Sequence, residues 1–177
     1  MNYISTRDKS VKIPAAKAIA QGLSLDGGLY VPESLPELTG DMIEKMLGMN
    51  YQDRASYIMK LYLADFTDEE LDSFTSSAYN TESFDTDKIA PVYKLDDNTF
   101  YLELWHGPTC AFKDMALQIL PYLLTASLKK TDEEREVCIL VATSGDTGKA
   151  ALEGFKDVDG TKIIVFYPKD GVSDIQK

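Results

Sequence analysis

Phe100 to Asp114 reads F-Y-L-E-L-W-H-G-P-T-C-A-F-K-D, and it passes from one backbone pattern to another. Residues 100–105 are aromatic and aliphatic with only Glu103 charged, which predicts a strand, while residues 115–128 form an apolar run of helical length. Between them, His106-Gly107-Pro108-Thr109 is turn chemistry. Glycine tolerates unusual backbone angles, proline fixes one, and a threonine ahead of a helix can cap its free N–H groups. Lys113 therefore falls at the helix start, among Ala111, Phe112 and Met115. The positive end of the helix dipole and the apolar neighbours both disfavour an ammonium there. A partly neutral amine is what a lysine needs to attack an aldehyde. The plainer alternative is a surface lysine that lays its stem along the helix and pairs with Asp114.

Outward from this stretch the pattern continues as strands and helices. Upstream, residues 92–95 form a second short strand, joined to 100–105 through Asp96-Asp97-Asn98 as a hairpin. Downstream come a strand over 137–143, a helix over 148–155 and a strand over 162–167. That alternation predicts β-α-β units and a parallel sheet. The continuous apolar runs Val137-Cys138-Ile139-Leu140-Val141-Ala142 and Ile163-Ile164-Val165-Phe166 suit strands covered on both faces. Pro121 predicts a kink in the helix after Lys113.

The amino-terminal half reads differently. A short strand over 2–7 and a helix over 13–21, closed by Gly22, precede the tight turn of Asp26-Gly27-Gly28. Helices are predicted over 41–47, 51–63 and 69–79, with caps at Asp41, Asn50 and the box Thr67-Asp68-Glu69-Glu70. Acidic residues between 65 and 87 read as a solvated face. Helical periodicity gives way to strands near residues 86–91, so the expected division is a helical subdomain over 1–88 and the first part of an α/β domain over 89–177. The fold class expected is α/β, a small helical subdomain followed by part of an open, mostly parallel sheet with flanking helices. The last residues, Asp170 to Lys177, read as the entry to a further helix.

Composition narrows the functions. The chain has 177 residues, 44% hydrophobic and 27% charged, enough for a core, and a formal net charge of -11. That charge argues against nucleic acid or an anionic membrane as partner, since both select clustered lysine and arginine. An anionic substrate must be captured by local groups. No apolar run approaches a membrane span and no signal-peptide pattern opens the chain, so a cytoplasmic location is expected. Cys110 and Cys138 form no C-x-x-C pair and His106 is the sole histidine, which leaves no metal site and suggests no disulfide.

A second constellation, Thr143-Ser144-Gly145-Asp146-Thr147-Gly148, joins a buried strand to a helix. In an open parallel sheet this is the carboxyl edge, where small anions bind at helix N-termini. An ordinary glycine-rich turn is the plain alternative. A P-loop fails because Thr143 and Ala150 stand where glycine and a hydroxyl are required, and G-D-T-G is not a dinucleotide fingerprint. Asp146-Thr147-Gly148 matches the catalytic triplet of aspartic proteases, but it runs into a helical pattern rather than an all-β context.

Three strings carry a family resemblance. H-G-P-T-C-A-F-K-D-M-A-L-Q (106–118) resembles the cofactor-lysine segment of threonine synthases, fold type II enzymes that use pyridoxal 5'-phosphate, departing in detail at Cys110 and Met115. G-L-S-L-D-G-G-L-Y-V-P (22–32) is similar to a segment near the start of the same enzymes, and S-G-D-T-G (144–148) to their loop for the substrate α-carboxylate. The resemblance implies that Lys113 carries the cofactor and moves protons. It implies that Asp146 lies beside the cofactor ring, and that Thr143, Ser144, Gly145, Asp146 and Thr147 hold the substrate. His106 either supports the turn or meets the substrate phosphate. The implied reaction converts O-phospho-L-homoserine and water into L-threonine and phosphate. No glycine-rich loop for the cofactor phosphate follows Asp146, so an amino-terminal part of a larger enzyme, inactive by itself, is expected. An open sheet edge beside residues 162–167 would then invite self-association. A related phospho-lyase on another phosphorylated amino acid, and a non-catalytic module binding an anion or a partner, are the alternatives.

Overall fold

The computed structural model describes residues 1–143 and 145–171. Contacts divide the chain into two compact units. The first joins Met1–Ser76 with Tyr122–Glu134, and the second joins Ser77–Pro121 with the chain from Arg135 onward. The division therefore differs from a single boundary at residue 88, because one later helix packs with the early ones.

In the first unit, β1 (Asn2–Ser5) lies between β2 (Lys12–Pro14) and β3 (Tyr30–Pro32), antiparallel to both. The expected helical subdomain thus carries a three-stranded sheet as well. Helix α1 (Ala15–Gln21) starts after Pro14 and ends at Gly22, whose φ of 74° no β-carbon-bearing residue takes up readily. The Asp26 turn closes where Gly27 N–H donates to Ser24 carbonyl (2.8 Å), while Gly28 N–H and Ser5 hydroxyl donate to the Asp26 carboxylate. Those donors hold the Asp26 carboxyl below the usual carboxylate range.

Three helices follow, α2 (Gly40–Leu47), α3 (Tyr51–Tyr62) and α4 (Asp68–Ala78). Asn50 caps α3 as expected, accepting from Asp53 N–H at 2.8 Å, and Thr67 and Glu70 form the reciprocal box. The cap of α2 is Thr39, not Asp41; Thr39 has the extended backbone of a cap, and Asp41 sits inside the first turn. Ala15, Ala16, Leu63, Phe66 and Leu71 form the buried core, with Leu123 and Ala126 packed on it. These last two lie on α6 (Leu120–Lys130), which explains why that helix belongs with the amino-terminal unit.

In the second unit, β4 (Val92–Lys94) and β5 (Phe100–Leu102) make an antiparallel hairpin that stands as its own two-stranded sheet. Asp96 accepts from Asn98 and Thr99 N–H and closes its turn. The strand ends at Leu102 rather than at 105, although Glu103 N–H still donates to the Pro91 carbonyl at 2.9 Å. Helix α5 (Asp114–Leu117) ends four residues before Pro121. A proline ring clashes with the carbonyl four residues earlier, so the single helix expected over 115–128 is broken there.

The parallel unit is β6 (Val137–Ala142), α7 (Asp146–Gly154) and β7 (Thr161–Phe166), in register from Val137 opposite Thr161 to Ala142 opposite Phe166. Alternate residues of both strands are half-buried on one face, and the other face, with Leu140, Ile164 and Phe166, is exposed. Helix α7 packs on both strands and on α5. The helix expected near the carboxyl end lies outside the described residues from 172 onward. No helix among the described residues is long and apolar enough to cross a membrane.

Candidate active site

Lys113 stands where the turn becomes α5, in helical conformation with φ −60° and ψ −26°. Its half-buried side chain lies over the Phe112 ring, Nζ 4.5 Å from the centroid. Among the described residues no carboxylate pairs with this amine. The surface alternative, pairing with Asp114, does not occur, because Asp114 is fully buried and points to the turn instead. Thr109 N–H donates to Asp114 Oδ2 at 2.8 Å and Thr109 hydroxyl to Oδ1 at 2.7 Å. Both carboxylate oxygens are thus satisfied inside the protein, as a buried charge requires.

Thr109 is therefore not a cap for α5, whose first N–H groups bond backward, Asp114 to the Ala111 carbonyl at 3.0 Å. The turn closes by Cys110 N–H donating to the Gly107 carbonyl at 3.0 Å. Gly107 must lack a side chain, since a β-carbon there would sit 2.6 Å from both the β-carbon and Oδ2 of Asp114. So in the string G-P-T-C-A-F-K-D the first and last residues touch, and Lys113 is held beside the closure. Reading the sequence outward from Lys113 missed this pairing. The signal available was a hydroxyl five residues before an acid, with a glycine two residues before the hydroxyl.

His106 opens the same turn. Nε2 meets Glu103 Oε2 at 2.9 Å and Nδ1 meets Asp85 Oδ1 at 2.6 Å, while the His106 carbonyl accepts from Asp85 N–H. The ring stacks on Trp105 at 5.5 Å. Hydrogen bonds that the ring donates to Glu103 and, next in weight, to Asp85 raise its pKa. Two carboxylate partners leave neither ring nitrogen turned toward a ligand.

The second constellation lies after β6. Thr143 hydroxyl accepts from Gly145 N–H at 3.2 Å, and Gly148 N–H donates back to the Gly145 carbonyl at 3.1 Å. Gly145 takes the capping position of α7 without a side-chain cap. Asp146 and Thr147 are exposed in the first turn of the helix, and Gly148 is buried with the Thr143 methyl where its β-carbon would be. Ser144 lies outside the described residues. The two constellations share one packed unit through α5 against α7, so the lysine and the hydroxyl-rich loop belong to one framework. Cys110 and Cys138 are both free thiols.

The amino-terminal residues 2–79 match the model of the threonine synthase N terminus. The threonine synthase of Pseudomonas aeruginosa is 40% identical over 178 residues, covering 100% of this chain and 37% of the relative. Along its whole length the chain matches the amino-terminal part of threonine synthases. The crystal structure of threonine synthase from Brucella melitensis, described as bound to pyridoxal phosphate, superposes with a TM-score of 0.91 at 35% identity, over 99% of this chain and 37% of that one. The human protein called threonine synthase-like 1 is 38% identical over 99% of this chain and 25% of its own length. The chain thus spans about 37% of the length of these bacterial relatives.

Proposed function

We propose that this chain supplies the amino-terminal part of a cytoplasmic, pyridoxal 5'-phosphate-dependent threonine synthase, which turns O-phospho-L-homoserine and water into L-threonine and phosphate. The observation that carries the reading is Lys113, a half-buried amine with no carboxylate partner among the described residues, held at a helix start by the Thr109–Asp114 closure. The residues fit the cofactor: a lysine available for an aldehyde, and a loop on the same framework with hydroxyls and helix-start N–H groups for an anion. Lys113 would hold the cofactor and Asp146 would lie beside its ring. When bound, the group supplies an aldehyde and an electron sink for charge developing next to the substrate amine.

The chain's own residues do the rest. Lys113 Nζ takes and returns protons at the substrate α- and β-carbons. Thr143, Ser144, Gly145 and Thr147 hold the α-carboxylate with hydroxyls and backbone N–H groups at the positive end of α7. Of the two roles open to His106, support of the turn is favoured over contact with the substrate phosphate, since both ring nitrogens are engaged by carboxylates.

A related phospho-lyase acting on another phosphorylated amino acid is the second reading. The experiment is phosphate release from O-phospho-L-homoserine and from other O-phosphoamino acids by the natural polypeptide that carries this sequence. Release from O-phospho-L-homoserine with threonine formed in equal amount supports the first reading; release only from another phosphoamino acid moves the assignment to the second, and no release from any of them sinks both.

The 177 residues alone are expected to be inactive, because positioning supplies roughly 7–11 kcal/mol of barrier lowering and a cofactor tethered only by its aldehyde forfeits much of that. Turnover within about tenfold of the natural polypeptide, a barrier difference near 1.4 kcal/mol, would contradict this.

A further inference from the structure

We propose that Asp114 and Thr109 are positioning residues for Lys113, their paired hydrogen bonds setting the place of the lysine that captures the aldehyde cofactor. The inference rests on the proposed function, and deepens it by naming what fixes the reactive amine. Asp114 is fully buried, and its two oxygens accept from the N–H and the hydroxyl of the same residue, Thr109, at 2.8 and 2.7 Å. Neither residue needs to touch the cofactor, since the closure acts through the backbone.

The geometry excludes a merely incidental contact. Between Thr109 and Asp114 the chain turns through Cys110, held at a positive φ of 57° that a non-glycine residue seldom adopts, and Lys113 is the residue before the closing acid. Gly107 lies against the Asp114 side chain with no room for a β-carbon. The segment from Gly107 to Asp114 is therefore a ring of contacts with Lys113 inside it. Asp85 and Glu103 tie the turn from its other end by way of His106. An amine that must meet an aldehyde carbon within bonding reach loses rate quickly when its backbone drifts, and a misplacement of about 1 Å can cost about 10²-fold.

The natural polypeptide is incubated with pyridoxal 5'-phosphate, quenched with borohydride at timed intervals, and digested, so that mass mapping gives the rate and the site of pyridoxyl labelling. Thr109→Val keeps the shape and deletes the hydroxyl donor; Thr109→Ser keeps both donors; Asp114→Asn keeps the shape and removes the charge. Urea midpoints are recorded for each variant.

We expect Thr109→Val and Asp114→Asn to slow labelling at Lys113 by about tenfold or more and to spread label onto other lysines, and Thr109→Ser to restore the unmutated rate. A general loss of fold would lower the urea midpoint of every variant without the recovery by serine. Labelling at Lys113 with unchanged rate and extent in both Thr109→Val and Asp114→Asn overturns the positioning role and leaves the cofactor assignment standing. Label found on another lysine in the unmutated protein, with Lys113 bare, overturns the cofactor assignment and the positioning role with it.

Discussion

A histidine whose two ring nitrogens both face carboxylates has all its bonds satisfied only when both nitrogens carry protons. His106 is so placed, with Glu103 on Nε2 and Asp85 on Nδ1, and its pKa is raised accordingly. Because the folded protein holds the proton more tightly than the unfolded chain, the stability it adds is full below the ordinary value of 6.5 and is lost as pH rises through the raised folded value. We expect the imidazole midpoint, followed by NMR on the sole histidine, to lie above 6.5. Glu103→Gln should lower it more than Asp85→Asn, since the Glu103 bond is the larger cause. A midpoint at or below 6.5 in the unmutated protein would refute the clamp. Sequence reading singled out His106 because it is the only histidine, but not its partners. Glu103 was within reach as a residue three positions back; Asp85 was not, because nothing local joins it to the turn.

Elements in this chain meet at glycines and caps, and two substitutions separate those effects. Gly154 closes α7, and a β-carbon there would lie 2.2 Å from the Leu117 carbonyl oxygen of α5, a backbone atom that cannot swing aside. Alanine in a helix ordinarily stabilises relative to glycine, but Gly154→Ala is expected to cost about 1–3 kcal/mol by overpacking the helix pair. Gly40, at the start of α2, has nothing within 4 Å of its would-be β-carbon, so Gly40→Ala should be neutral or slightly stabilising. Urea denaturation of the two variants decides it, and equal midpoints would show that α5 and α7 do not pack as described. In the capping box, Thr67→Ala should cost about 1 kcal/mol, since it leaves the Glu70 N–H without its acceptor. A loss below about 0.3 kcal/mol in the same denaturation would mean that water replaces the hydroxyl without penalty. The box was legible from four letters because both bonds are local. The cap of α2 was assigned to Asp41 instead of Thr39, two acceptable cap residues two positions apart that only backbone conformation tells apart.

At the scale of the whole molecule, the parallel pair β6 and β7 is apolar on both faces, and α7 covers one. Leu140, Ile164 and Phe166 are 65%, 48% and 59% exposed, an uncovered stripe that should drive the 177-residue chain to self-associate at micromolar concentration. Sedimentation velocity should show a concentration-dependent shift that Leu140→Lys together with Ile164→Lys abolishes. A monomer at all concentrations, or a shift unmoved by the pair of lysines, would count against it. Local sequence patterns already determined the β-α-β order, the caps at Asn50 and Thr67, the hairpin and the place of Lys113 at a helix start, since each depends on residues a few positions apart. What those patterns could not decide is what packs on what. The three-stranded sheet forms because β1 is flanked by strands that meet it through distant turns, α6 joins the early helices because Leu123 and Ala126 pack on their buried core, and Asp114 turns inward because Thr109 offers two donors. A side chain's partner is selected by burial and by the donors that folding brings within reach, and for those contacts the chain's own order carries no local signal.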